Sequence, residues 1–267
     1  VVMSAHAINH GCFPDISNGQ HTDFFFMKQE EPEKVAETIV SLVRDRLPKA
    51  YRQPTANIQV LTPMQRGVVG AANLNMVLQQ ALNHNTAALV RGGYTFKEGD
   101  RVMQLRNNYD KDVYNGDLGY VRSVDMEERT LTVDFDGQTV EYEASELDEL
   151  TLAYATTIHK SQGSEYPIVV MPVLMTHYVM LQRNLIYTGI THAKKICVLV
   201  GQSKALAYAI HNMKVLKRNT RLKERLAPVA TGSADTDQNS ARQYALPTEE
   251  IQMAAEERVQ YGDKGKS

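Results

Sequence analysis

The 267-residue chain contains no tryptophan and only two cysteines, Cys12 and Cys197. Two cysteines this far apart provide neither a disulfide framework nor the paired spacing of a zinc site, so we expect reduced thiols and a cytoplasmic protein without a bound metal. No apolar run reaches the roughly 20 residues that cross a bilayer, and we expect no membrane contact. The formal net charge of −2 gives no global basic signature, so any nucleic-acid binding must come from a local patch.

The composition is otherwise that of a globular protein, with 43% hydrophobic and 22% charged residues. A chain of this length supports one large or two modest domains. It opens with Val1-Val2 rather than methionine, which predicts a piece of a longer protein. Residues 227–267 are rich in small and polar residues and predict a disordered tail. This tail ends in Gly-Lys-Ser, but Gln260 stands where a phosphate-binding loop needs its first glycine, which excludes that motif.

Short apolar runs alternate with amphipathic stripes, a pattern that predicts an α/β fold with a parallel sheet. Strands are predicted at the start of the chain and at 24–27, 58–61, 152–155, 168–171 and 196–200. One helix is predicted between Pro32 and Pro48, with an apolar stripe of Val35, Ile39, Leu42, Val43 and Leu47. A second helix is predicted after residue 67, and its buried side is expected to consist of Val68, Ala72, Met76 and Leu82.

The pattern changes between residues 93 and 147, where four short strands are predicted at 99–105, 118–124, 130–135 and 139–142. Leu131, Val133 and Phe135 alternate with polar residues, which is the period of a strand with one buried face. Asp136-Gly137 and Asn115-Gly116 are pairs typical of hairpin turns. These features predict a small antiparallel barrel inserted into the α/β fold.

Two polar segments have alternative interpretations that the sequence leaves open. A loop of the insertion combines amides, tyrosines and a lysine, and it either stacks on a DNA strand or is an exposed hairpin loop. Its residues are Asn107, Asn108, Tyr109, Lys111 and Tyr114. A basic cluster either contacts DNA phosphates or forms the solvated end of the domain. Its residues are Lys214, Lys217, Arg218, Arg221, Lys223 and Arg225.

Two junctions that follow predicted strands combine polar and cationic side chains. Residues 156–165 are rich in hydroxyl, amide, imidazole and ammonium groups, and ligands of open α/β sheets bind at the carboxyl ends of strands. After the strand at 58–61, Arg66 and nearby backbone N–H groups suit an anion. For both junctions, the alternative is an ordinary solvated connection between a strand and a helix.

Three strings, which occur along the chain in the order IV, V, VI, resemble motifs of one protein family. Residues 157–165, T-I-H-K-S-Q-G-S-E, resemble motif V of RecD/TraA-like superfamily 1 DNA helicases. Residues 62–67, T-P-M-Q-R-G, resemble motif IV of the same family. Residues 187–193, Y-T-G-I-T-H-A, resemble motif VI, whose usual arginine is replaced here by His192. The Gly-Asp-x-Val-Met string at 99–103 is similar to the start of the family's SH3-like barrel.

The resemblance implies a second RecA-like domain at 1–92 and 148–226, interrupted by an SH3-like barrel at 93–147. It implies the C-terminal motor half of an ATP-dependent helicase of DNA repair and recombination, which moves 5′ to 3′ along single-stranded DNA and unwinds single/double-strand junctions. The partner would be the N-terminal RecA-like domain of the same protein, which would also hold the Mg²⁺ of the bound ATP. Because this chain lacks Walker A and B motifs, we expect it not to hydrolyse ATP by itself.

The resemblance also implies roles for individual residues. Nucleotide contacts would involve Gln65, Arg66, Gly163, Glu165 and His192, of which Arg66 and His192 would be catalytic at the γ-phosphate. DNA contacts would involve Thr62, Thr156, Thr157, His159, Lys160 and Ser161. Gln162 would couple the two ligands, and Arg183 is the alternative to His192. An imidazole lacks the permanent bidentate charge of arginine, so we expect a slow or pH-sensitive motor. A non-catalytic DNA-binding or scaffold subunit remains the alternative.

Overall fold

The computed structural model describes residues 1–19 and 22–213. The predicted tail and the basic cluster that begins at Lys214 lie outside the described residues. The strands are β1 (Phe24–Lys28), β2 (Ile58–Thr62), β3 (Ala88–Arg91), β4 (Tyr94–Lys97), β5 (Arg101–Gln104), β6 (Leu118–Asp125), β7 (Thr130–Phe135), β8 (Gln138–Glu143), β9 (Leu150–Leu152), β10 (Ala155–Thr157), β11 (Tyr166–Val173) and β12 (Ala193–Gly201). The helices are α1 (Val2–Asn9), α2 (Pro32–Ser41), α3 (Leu47–Tyr51), α4 (Ala71–Leu82), α5 (Arg183–Thr191) and α6 (Ser203–His211).

A five-stranded sheet, in the order β1-β12-β11-β2-β10, contains only parallel pairs. Its central strands are buried on both faces, because alternate residues of each strand enter two separate cores. One core combines Val169 and Met171 with α1, α5 and α6, and the other combines Ile168 and Val170 with α2 and α4. The predicted α/β class with a parallel RecA-like sheet is confirmed. None of the helices in the described part of the chain is long and apolar enough to cross a membrane.

The strand predicted at the start of the chain is wrong, because residues 2–9 form helix α1. The buried residues Val1, Ala5 and Ile8 recur at the spacing of a helix and pack in the same core as α5. The run of Val1, Val2 and Met3 suggested a strand, but Val2 and Met3 are exposed. The helical period of the buried residues, rather than local strand propensity, therefore determines this element.

The two predicted helices exist, but their details differ from the prediction. Pro48 does not close the first helix, because a π-helical turn at Leu42–Arg46 lets the chain continue into α3, which ends at Tyr51. Such a turn changes the backbone hydrogen-bond spacing and accommodates a proline within a helical segment. The second helix, α4, buries a different side from the one predicted, and Met76 is exposed. The buried side of α4 consists of Ala71, Leu74, Asn75, Leu78 and Gln79.

The four strands predicted within the insertion are confirmed as β5 to β8 of an antiparallel sheet with the order β8-β7-β6-β5-β9. Leu131, Val133 and Phe135 are buried in a third core, separate from the two cores of the parallel sheet. Asp136 and Gly137 both have positive φ in the tight turn between β7 and β8, as the sequence pair predicted. The sequence analysis missed the β3–β4 hairpin. The single strand predicted at 152–155 is wrong, because Leu152 ends β9 of this sheet and Ala155 begins β10 of the parallel sheet. The limits of 93 and 147 for the insertion therefore stay a prediction.

The two cysteines differ in accessibility, which gives a first testable expectation. Cys12 is exposed, whereas Cys197 is fully buried in β12, and burial raises the pKa of its thiol to about 12. Since the thiolate is the reactive form, we expect one fast-reacting thiol in the native chain and a second after unfolding in urea. Labelling with a maleimide, followed by mass spectrometry, checks this. Rapid native labelling of Cys197 would contradict the packing of β12.

Candidate functional site

The turns that carry the resemblance to motifs IV and V leave the parallel sheet side by side. Thr62, the last residue of β2, pairs with Thr157, the last residue of β10. Directly after this pair, the backbone N–H of Ile158 donates to the carbonyl of Thr62 over 3.1 Å. Residues 63–70, named here the motif IV turn, and residues 158–165, the motif V turn, therefore start from the same carboxyl edge. This edge is where ligands bind in open α/β sheets.

The motif IV turn is a tight connection that presents Arg66 to solvent. The N–H groups of Ala71 and Ala72 each donate over 3.0 Å to the carbonyls of Met64 and Gln65, so the backbone folds back on itself. A Cβ at Gly70 would lie 2.4 Å from the Arg66 backbone, which requires glycine there. Gln65 and Arg66 are exposed. The turn thus holds an exposed guanidinium on a rigid backbone.

Residues predicted to contact DNA divide into buried and exposed groups. Thr62 is fully buried, and its hydroxyl donates to the carbonyl of Val69 over 2.7 Å. Ser161 is also fully buried and donates to the carbonyl of Ile158 over 2.9 Å. These two hydroxyls stabilise the turns themselves. Thr156 is buried as well, and its hydroxyl has no hydrogen-bond partner among the described residues.

The exposed members of this group all lie near the start of the motif V turn. His159 and Lys160 are exposed, and Thr157 is half-buried with its hydroxyl accepting from the Lys160 N–H over 3.4 Å. Gln162, predicted to couple the two ligands, is exposed. A cavity of about 210 Å³ separates His159 and Gln162 from α5. The exposed polar groups in the two turns near this edge are therefore Gln65, Arg66, His159, Lys160 and Gln162.

The motif V turn ends at the opposite edge of the sheet, where it meets the motif VI segment. Glu165 directly precedes β11, and His192 directly precedes β12. The Tyr166 N–H donates to the carbonyl of His192 over 2.8 Å. The carboxylate of Glu165 pairs with the ammonium of Lys194 over 2.9 Å, and both side chains are more than half exposed. Gly163 is exposed and has a φ of 88°, a conformation that favours glycine.

His192 is 7% exposed and contacts the motif V turn rather than solvent. Its Nδ1 lies 2.6 Å from the carbonyl oxygen of Ser164, and because a carbonyl only accepts, Nδ1 carries the proton and donates. Its Nε2 is buried without a partner among the described residues. In this conformation the imidazole links motif VI to motif V.

The predicted nucleotide residues follow or precede different ends of the strands. β2 and β11 are parallel, with Ile58 opposite Ile168, so Thr62 and Glu165 lie seven residues apart along the strand direction. At about 3.3 Å per residue, roughly 20 Å separates the two edges. Glu165 and His192 lie at the amino ends of β11 and β12, Gly163 lies within the motif V turn that joins the two edges, and Gln65 and Arg66 follow the carboxyl end of β2. The expectation that Arg66 and His192 act at one phosphate therefore stays a prediction.

Arg183, the predicted alternative to His192, is held by backbone carbonyls of the fold. Its Nε donates to the carbonyl of Ile210 over 2.6 Å, and its NH1 reaches the carbonyl of Asn9 over 3.5 Å. The guanidinium packs against Gly11, where a Cβ would lie 2.6 Å from it. Arg183 thus stabilises the ends of α1 and α6 and is not free to reach a nucleotide.

The polar loop of the insertion is acidic around its aromatic residues. Tyr109 and Tyr114 form an exposed edge-to-face pair with ring centroids 6.1 Å apart. Lys111 is not available to a ligand, because its Nζ lies 2.6 Å from the Glu146 carboxylate and donates to a backbone carbonyl. The Tyr114 hydroxyl donates to Asp112 over 2.7 Å. Since the lysine is neutralised and carboxylates are close, the exposed-loop interpretation is favoured over stacking on DNA.

The sequence analysis missed a buried polar group between α4 and the antiparallel sheet. Asn75, Gln79 and Asn83 occur at every fourth position, which places them on one side of the helix. They contact the backbone of residues 152–155 and the side chain of Asp100. The sequence signal for this group is the N-x-x-x-Q-x-x-x-N spacing. By composition alone, three amides at this spacing indicate a solvent-exposed side of a helix.

Comparison with known proteins agrees with this architecture. A family model for the SH3 domain of ATP-dependent RecD-like DNA helicases matches residues 74–135, and a model for UvrD-like helicase C-terminal domains matches residues 152–200. The ATP-dependent RecD2 DNA helicase of Deinococcus radiodurans is 34% identical over 226 residues, covering 85% of this chain and 30% of that protein. The RecBCD enzyme subunit RecD of Mycolicibacterium smegmatis is 29% identical over 170 residues, covering 64% of this chain and 29% of that protein.

A solved structure of Pif1 helicase from Bacteroides, in complex with ADP-AlF3 and ssDNA, aligns with a TM-score of 0.44 and 18% identity, covering 75% of this chain and 48% of that chain. The sheet, the inserted antiparallel domain and the two family models define a helicase C-terminal region of superfamily 1. Within that class the chain belongs to the RecD-like helicases, and it corresponds to their second RecA-like domain with its SH3 domain. It spans about 30% of the length of the curated relatives described here.

Proposed function

We propose that this chain is the C-terminal motor part of an ATP-dependent DNA helicase of the cytoplasm that moves 5′ to 3′ along single-stranded DNA. The observation that supports this most directly is the adjacency of the motif IV and motif V turns at one edge of the parallel sheet. There, accessible cationic and polar groups lie on backbones that the strands hold fixed. Its substrates would be single-stranded DNA and single/double-strand junctions.

The carboxyl edge suits DNA because its accessible groups are cationic or polar donors. Arg66, His159 and Lys160 present guanidinium, imidazole and ammonium groups, which contact phosphates without reading sequence. By contrast, a cavity of about 650 Å³ between the antiparallel sheet and Ser164 is lined by Asp117, Asp134 and Asp136. Because carboxylates repel a polyanion, we assign the DNA path to the carboxyl edge and not to this cavity.

The amino edge suits a nucleotide that binds between this domain and an N-terminal RecA-like domain. Glu165 would accept hydrogen bonds from ribose hydroxyls, and Gly163 allows close approach of the backbone. Lys194 lies 2.9 Å from Glu165 and is the nearest exposed cation that the structure shows beside it. Within residues 1–19 and 22–213, no group of three carboxylate, imidazole or thiol side chains is placed to hold a metal. The resemblance to the family implies that the Mg²⁺ ligands lie on the N-terminal domain.

Replacement of His159 and Lys160 by alanine tests the DNA assignment. We expect single-strand binding to weaken equally for all sequences, because phosphate contacts carry no base information. The slope of log affinity against log salt should fall by about 0.7 per phosphate contact removed. Fluorescence anisotropy with two unrelated oligonucleotides measures both effects. A variant with Lys34→Ala, which removes an exposed lysine of α2, serves as the matched control. Unchanged affinity in the double variant would exclude the carboxyl edge as the DNA site.

A non-catalytic DNA-binding or scaffold subunit is the second candidate, and the environment of His192 favours it. The motif VI position carries a buried imidazole that donates to Ser164, not an exposed arginine. A scaffold would bind DNA through the carboxyl edge without any nucleotide response. Measurement of DNA-stimulated phosphate release by the whole protein distinguishes the two candidates, because a scaffold releases none.

A further inference from the structure

A row of three amides on α4 binds the segment through which the antiparallel sheet leads into motif V. The Asn75 amide donates to the carbonyls of Leu152 and Ala155, each over 2.9 Å, and accepts from the Ala155 N–H over 2.8 Å. Leu152 ends β9 of the antiparallel sheet, and Ala155 begins β10 of the parallel sheet. One side chain therefore fixes the point where the chain passes from one sheet to the other.

The other two amides bind the part of the chain that runs from β3 to β9, named here the antiparallel domain. Gln79 donates to the carbonyl of Thr95 over 2.7 Å and to the Asp100 carboxylate over 2.5 Å. Asn83 donates to the carbonyl of Glu98 over 2.9 Å and to Asp100 over 2.6 Å. Because each NH₂ group has only two protons, both amides use every donor they possess. All of these acceptors belong to the β4–β5 region of the antiparallel domain.

Asp100 is fully buried and receives four donors, two on each carboxylate oxygen. Gln79 and Asn83 supply two of them, the Lys97 N–H supplies a third over 2.7 Å, and the Tyr154 hydroxyl supplies the fourth over 2.8 Å. A carboxylate has about four acceptor positions, so this one is saturated. An asparagine at this position would place its own NH₂ group against two of these donors.

The four partners of Asp100 come from three parts of the chain. Gln79 lies on α4, which follows the motif IV turn, and Asn83 directly follows α4. Tyr154 lies three residues before the end of β10, where the motif V turn begins. The family match for the SH3 domain begins at residue 74, within α4 rather than at β4. Helix, antiparallel domain and motif V strand thus meet at one buried carboxylate.

We propose that Asn75, Gln79, Asn83, Asp100 and Tyr154 form a joint that positions motif V relative to α4 and the antiparallel domain. Its members are positioning residues, since their polar groups bind one another and the backbone. Four of them are buried and Tyr154 is partly exposed. When the joint is intact, a displacement of the antiparallel domain displaces the start of motif V with it. The joint is a property of the fold, and it stands independently of which ligand the domain binds.

Hydrogen exchange of the 267-residue chain tests the joint with a matched pair of glutamine variants. Gln79→Ala removes a donor from Asp100, whereas Gln80→Ala removes the exposed glutamine that follows it on α4. We expect Gln79→Ala to accelerate amide exchange in residues 155–164 by about tenfold relative to amides of β12, which belong to the same sheet but not to the joint. Gln80→Ala should leave both sets of amides unchanged. Tyr154→Phe removes a single donor and should give a smaller acceleration with the same distribution.

Three outcomes are distinguishable. Acceleration confined to residues 155–164 and the β4–β5 region supports the joint. Equal acceleration across both sheets overturns it, because Gln79 would then contribute only to global stability. No acceleration in Gln79→Ala or in Tyr154→Phe also overturns it. Single-strand binding by the same variants is a separate readout: if the wild-type chain does not bind DNA, the proposed function fails while the exchange result still decides on the joint.

Discussion

Arg66→Ala should reduce the affinity of the whole protein for single-stranded DNA by about tenfold to a hundredfold, the effect of losing one charged hydrogen bond. The reason is the position of Arg66 at the carboxyl edge, beside the start of motif V. Its side chain is exposed, and the motif IV turn is held by backbone hydrogen bonds from Ala71 and Ala72, so the fold should survive the substitution. The salt dependence of binding should become shallower by about 0.7 in slope.

The same variant distinguishes a DNA contact from an arginine finger. At saturating DNA, we expect kcat for ATP hydrolysis to stay within a few-fold of the wild-type value. An arginine finger removed from the γ-phosphate would instead lower kcat by about 10³ to 10⁵. Arg44→Ala, which removes an exposed arginine at the π-helical turn after α2, is the control. A large loss of kcat with unchanged DNA affinity would return Arg66 to the nucleotide site.

Most strands of the parallel sheet and of β5 to β8 could be predicted because their signals are local. The runs at 58–61, 168–171 and 196–200 are apolar enough to be buried on both faces, and β7 alternates with a clear period of two. The Asp136-Gly137 pair adopts the positive φ values that this turn requires. Each of these signals depends on residues within a few positions of one another, so no tertiary information was needed.

The features that could not be predicted depend on contacts between distant segments. α1 is helical because Ala5 and Ile8 pack in the core that α5 also enters, although its first residues favour a strand. Asn75 binds residues 152–155, about 80 positions away, so no signal in the neighbouring sequence indicates that it is buried. The resemblance to helicase motifs gives candidate site residues, and only the register of β2 and β11 shows which ends of the strands these residues flank.

His177 should make the stability of this protein sensitive to mild acid. It is 3% exposed, its Nδ1 has no partner among the described residues, and burial lowers the pKa of its ring to about 4. In the unfolded chain the ring takes up a proton near pH 6.5, whereas in the folded chain it stays neutral down to about pH 4. Because the unfolded state binds the additional proton, the stabilisation is complete above pH 6.5 and is lost as the pH falls toward 4.

The loss should reach about 2 kcal/mol at pH 5, since each unit below the unfolded pKa costs about 1.4 kcal/mol. Urea unfolding at pH 7 and pH 5 measures it in a range where most carboxylates remain ionised. His177→Gln replaces the ring by a group that does not titrate, so its free energy of unfolding should change less between these two pH values, even if it is lower at both. His211→Gln, at an exposed histidine of α6, should keep the full wild-type dependence. An equal pH dependence in the wild type and His177→Gln would show that His177 is protonated in the folded chain.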